Sequence, residues 1–87
     1  MKLRTKKMKF LNKIPQSTRA RIDGYINLCF GANEELYTYM IGKIATTLAV
    51  LYDDGVLTMS ERASASSFYR GLADEEYRKD EKNETTY

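Results

Sequence analysis

An all-α fold is predicted here: a small three-helix bundle with a basic N-terminal arm and a polar C-terminal tail. Three observations carry that prediction. Apolar residues recur at spacings of three and four in three separate segments, the single proline heads the first segment, and Gly31 and Gly55 punctuate the joins. At 87 residues, with 43% apolar and 30% charged side chains, the chain has the composition of one ordinary globular domain. A chain this short buries only about 60 to 65% of its unfolded surface, so its core must be simple.

The first helix is expected over residues 16 to 30, where Ile22, Tyr25, Ile26, Cys29 and Phe30 share one face. Pro15 suits a first helical turn and biases Ile14 away from the α region, and Gly31 is the natural stop. Gly24 weakens this helix by about 1 kcal/mol, so tertiary packing must hold it.

A second helix is expected over residues 33 to 53. Asn33 is a good N-cap, and Glu34 and Glu35 complement the positive end of the helix dipole. Tyr37, Ile41, Ile44, Leu48 and Leu51 form a stripe, while Leu36, Met40, Ala45, Ala49 and Tyr52 widen it beyond half the circumference. A helix that apolar belongs at the centre of the bundle, and Asp53, Asp54 and Gly55 supply the turn that follows it.

Thr58 and Glu61 match a capping box and open a third helix, expected over residues 59 to 78. Its apolar face is thinner, made of Ala65, Phe68, Tyr69, Leu72 and Tyr77, and Gly71 weakens its middle. This gives a basic arm at 1–14, a helical domain at 15–78 and a polar, disordered tail at 79–87. Leu3, Met8, Phe10, Leu11 and Ile14 in the arm fit a helix, a strand or a flexible segment equally well.

Catalytic chemistry has little to work with. The chain has no histidine and one cysteine, Cys29, which lies on an apolar helical face. Ser-His-Asp and Cys-His arrangements are therefore excluded, and no metal site or cofactor is expected. Asp53, Asp54 and Gly55 do not make a calcium loop, because aligning the glycine puts Val50 at the first ligand position. No phosphate-binding glycine motif occurs. A lone thiol and the lack of a signal-peptide pattern place the expected setting in the cytoplasm. The apolar run Leu36 to Tyr52 makes a single membrane span the remote alternative, but Lys43 near its middle costs about 2.5 to 3.5 kcal/mol on insertion.

The net charge of +2 conceals a segregation. Eight of the 14 basic residues precede the first acid, Asp23, whereas the acids crowd between Asp74 and Glu84. Seven tyrosines and four methionines are too many for so small a core, so some must face outward, as they do on interaction surfaces. The leading expectation is a non-catalytic regulatory or inhibitory protein that binds another protein, in the manner of small bacterial or mobile-element proteins that block a target stoichiometrically. Tyr37, Tyr39, Tyr52, Tyr69, Arg70 and Tyr77 are its candidate contacts, and self-association is compatible with the same surface. The second expectation is nucleic-acid binding through Lys6, Lys7, Lys9, Lys13, Arg19, Arg21 and Asn33, since each cation placed on a phosphate releases counterions.

That second expectation also draws on a resemblance. Lys9 to Ile14 followed by Pro15, then Ile22-Asp23, Gly31-Ala32-Asn33 and Glu35-Leu36, resemble the layout of ribbon-helix-helix DNA-binding proteins. The resemblance implies an N-terminal strand that pairs in a dimer and reads the major groove, with Lys9, Leu11 and Lys13 facing bases. It also implies that Gly31 to Asn33 meet the phosphate backbone. The chain departs from the pattern at Asn12, Leu11, Thr18 and Arg19, where polar and apolar positions are exchanged.

Overall fold

A computed structural model describes residues 9 to 85, with side chains from Phe10 to Lys79. One 3₁₀ turn, Lys9–Lys13, precedes three helices: α1 (Gln16–Asn27), α2 (Glu34–Asp53) and α3 (Met59–Thr85). Each helix packs on both others, the α2–α3 pairing being the most extensive. The three-helix bundle is the fold the sequence predicts.

The helix ends follow local chemistry. Pro15 is the N-cap of α1, one position before the first-turn place expected for it, and its carbonyl accepts from the N–H groups of Thr18 and Arg19. Helix α1 stops at Asn27, earlier than expected. Tighter turns follow, with Phe30 N–H donating to Asn27 O and Ala32 N–H to Cys29 O, before Gly31 takes a φ of 76°. Asn33 caps α2, its Oδ1 accepting from Leu36 N–H at 2.8 Å. At the far end Val56 N–H reaches Leu51 O and Gly55 N–H reaches Tyr52 O, with Gly55 at φ 78°. Those two bonds form a Schellman cap and satisfy the last carbonyls of α2. The capping box of α3 is complete: Glu61 N–H donates to Thr58 Oγ1 at 3.1 Å, and Thr58 N–H to Glu61 Oε1 at 2.9 Å.

The core is formed by Ile22, Ile26 and Cys29 from α1 and its exit, Met40, Ile44, Leu48 and Leu51 from α2, and Ala65, Tyr69 and Ala73 from α3. Leu57 closes one end. Leu11 and Ile14 also belong to it, at 4% and 1% exposure, so the packed body begins inside the segment expected to be an arm. Spacing explains this. Residues three apart fall on opposite faces of a strand but on the same face of a 3₁₀ turn, and both side chains are needed inside.

Helix α3 also runs further than its apolar period, reaching Thr85 rather than fraying at Arg78 into a disordered tail. Arg78 pairs with Asp74 at 2.8 Å and Lys79 with Glu76 at 2.7 Å, at helical spacings of four and three. Such pairs support a helix where burial does not. Among the described residues, no helix is long and apolar enough to cross a membrane.

Candidate docking surface

The tyrosines expected to form a partner surface do not gather on one face. Tyr37 and Tyr77 stack on each other, ring centroids 4.3 Å apart and planes 17° from parallel, and the Tyr37 hydroxyl lies 3.5 Å from Asp74 Oδ1. Tyr69 is a correction to the candidate set: at 4% exposure it is a core residue, its ring edge-on to Phe68. Burial, then the charge of Asp23, raise its hydroxyl above the usual tyrosine range. Tyr52 is partly buried beneath the Arg62 guanidinium, 5.3 Å from its ring. It stands about 22 Å along α2 from Tyr37, fifteen residues at 1.5 Å each. Arg70 is exposed on α3, and of the candidate tyrosines Tyr39, 58% exposed, is the one that presents its ring broadly to solvent.

The nucleic-acid set disperses as well. Lys6 and Lys7 lie outside the described residues, as does the side chain of Lys9. The expected reading strand does not form over Lys9–Lys13, because the 3₁₀ turn there points Leu11 into the core rather than toward a groove. Lys13 is bound to both carboxylate oxygens of Glu61, at 2.9 and 2.8 Å. Asn33 spends its side-chain oxygen on the cap of α2. Arg19 lies along Tyr69, its Nε buried without a hydrogen-bond partner. Arg19 lines a shallow pocket between α1 and Tyr69, and Arg21 opens onto the groove between α1 and α2.

Cys29 is fully buried and its thiol contacts Tyr25 O at 3.5 Å. Burial, followed by the charge of Glu76, raises its pKa, which keeps it a packed thiol and a poor nucleophile.

What the structure does bring together is an edge of the bundle between α1 and α2. A groove of about 470 Å³ lies there, walled by Pro15, Thr18, Arg21 and Tyr25 on one side and by Lys43, Thr46, Thr47 and Val50 on the other. Leu36, Tyr39, Lys43, Thr46 and Val50 recur at three, four, three and four, so they form one row along α2. Its apolar members stay uncovered, with Leu36 at 39%, Tyr39 at 58% and Val50 at 51% exposure. On the other side Arg21 and Tyr25 of α1 and its C-cap Leu28 follow at spacings of four and three, and Leu28 is 55% exposed.

The polar members of this edge are prepared for desolvation. Thr46 Oγ1 donates to Gly42 O at 2.9 Å and Thr47 Oγ1 to Lys43 O at 2.8 Å, so covering these hydroxyls strands no donor. Lys43 Nζ sits 5.5 Å from the Tyr39 ring centre, a cation held above an aromatic platform. Asp54 lies at the Pro15 end of the groove. By composition alone the excess apolar width of α2 reads as core. The signal that separates this row was available, because its members sit roughly a third of a turn or more away from the stripe centred on Ile44 and Leu48.

The sequence matches no protein-family model, no curated protein and no solved structure.

Proposed function

We propose that this protein is a non-catalytic regulatory or inhibitory protein that acts by binding another protein, and that the α1–α2 edge is its docking surface. The observation that carries the reading is the uncovered row Leu36, Tyr39 and Val50 beside a groove between two packed helices. Exposed apolar side chains gathered along one row beside a groove are the kind of surface that marks an interaction site. Of the other candidates, Lys13 is paired with Glu61, and Tyr37 and Tyr77 are stacked on each other. A cytoplasmic setting goes with this reading, the lone thiol being packed away rather than placed for cross-linking. The nucleic-acid reading is weaker, since Leu11 is committed to the core and Lys13 to an acid.

The test is capture of complexes from cells that express the tagged full chain. Tyr39→Ala combined with Val50→Asp is expected to lose the partners that wild type retains. Arg70→Ala, on α3, is expected to keep them, and helical circular dichroism should be unchanged in all three proteins. Undiminished capture by the double variant removes the reading.

A further inference from the structure

We infer that the α1–α2 edge receives an amphipathic helix of another protein, one that carries acidic side chains beside its apolar stripe. This rests on the docking reading above and specifies the partner's chemistry.

Shape is the first argument. The row from Leu36 to Val50 spans fourteen residue steps, or about 21 Å, and its three-and-four spacing is the seam that one helix offers another. A groove between two antiparallel helices, with the third helix packed behind them, is the place a fourth helix takes in a four-helix bundle. The internally bonded threonines allow that place to be dried at little polar cost.

Charge is the second argument, and it selects the occupant. Arg21 and Lys43 are the two cations lining the groove, and among the described residues neither is seen in an ion pair. Carboxylates on the incoming helix would complement them. Asp54, the one acid in the lining, marks the Pro15 end, so a basic residue of the occupant belongs there and the order of charges fixes its direction. A second copy of this chain fits poorly. Lys43 stands seven residues from either end of the row, so a twofold axis through its centre brings Lys43 onto its own image. Like charges set against each other in a drying interface cost affinity.

The experiment is selection from a displayed library of amphipathic helical peptides, with fixed leucines at heptad a and d and random residues on the flanks. The full chain and its Arg21→Glu/Lys43→Glu variant serve as separate baits. Wild type is expected to enrich peptides with acidic flanks, which bind the reversed variant at least about tenfold more weakly; the variant should enrich basic flanks instead. Enrichment of basic or charge-neutral flanks on wild type overturns the inference, as does failure to enrich any helix. Sedimentation showing a dimer that Val50→Asp dissolves overturns it in favour of a second copy. If selection fails while Tyr39→Ala/Val50→Asp still abolishes capture from cells, the docking reading stands and this inference alone falls. If capture is also insensitive, both fall.

Discussion

Lys13 Nζ bridges both carboxylate oxygens of Glu61, at 2.9 and 2.8 Å, while Glu61 Oε1 also accepts the N–H of Thr58 at 2.9 Å. One carboxylate therefore closes the first turn of α3 and ties the N-terminal 3₁₀ turn to it, across 48 residues of sequence. The Lys13 bond, then that of Thr58, hold the Glu61 pKa below its ordinary 4.5.

A lowered pKa in the folded state sets the sign of the acid response. The unfolded chain takes up this proton first, so the contribution of Glu61 is complete above about 4.5 and is lost as the pH falls through the lower native value. Glu61→Gln is expected to reduce stability at neutral pH and to flatten its decline below pH 4.5. Urea midpoints measured across that range check it; an acid limb as steep as that of wild type would show that the tether contributes nothing.

Ile14 tests where the folded body begins. At 1% exposure its truncation leaves a cavity, and Ile14→Ala is expected to cost about 2 to 5 kcal/mol, a large part of the stability of so small a domain. Asn12→Ala, two residues away and exposed, should stay within about 0.5 kcal/mol of wild type. Equal urea midpoints for the two variants would return this segment to the status of a loose arm.

The N-terminal segment also shows what was legible beforehand. The three helices, the Asn33 cap, the Thr58–Glu61 box and the Gly55 stop were readable because each depends on residues within a turn of one another, whereas α1 ends at Asn27, ahead of the stop expected at Gly31. Leu11 and Ile14 were not readable. Two apolar residues three apart define no period on their own, and only their burial in the tertiary core decides their conformation. The candidate docking surface was half legible. The apolar excess of α2 announced a second face, but Tyr37 and Tyr39 are chemically alike in sequence. It takes the position of α3 to place one in a stack and leave the other in water.

The glycines divide into two groups with opposite expected effects. Gly31 and Gly55 hold φ values of 76° and 78°, where a Cβ is strained, so alanine at either should cost about 1 to 2 kcal/mol. Gly42 is helical and exposed, and a Cβ built there meets no atom within 4 Å. Gly42→Ala is expected to raise stability by about 0.5 to 1 kcal/mol. Thermal melts of the three variants give the signs directly, and a stabilising Gly55→Ala would contradict the left-handed cap of α2.

The stack of Tyr37 on Tyr77 is the contact that holds the distal part of α3 to the start of α2. Offset aromatic pairs contribute about 0.5 to 1.5 kcal/mol beyond the area they bury, so a cycle of Tyr37→Ala and Tyr77→Ala should yield a coupling energy in that range. The pair carries an alkaline signature too. Burial, then the charge of Asp74, raise the Tyr37 pKa above its ordinary 10.0. The sign follows from linkage: a raised native value means that the unfolded chain ionises first, so the contribution is whole below pH 10.0 and is lost as the pH rises through the native value. Tyr37→Phe keeps a ring for the stack but has no proton to lose, so it should decline less steeply above pH 10.0 than wild type. Tyr77→Ala opens the site to water and should return the Tyr37 titration toward 10.0, read from tyrosinate absorbance. A Tyr37 titration unmoved by Tyr77→Ala would mean that the stack does not shield the hydroxyl, and that α3 reaches this far without packing against α2.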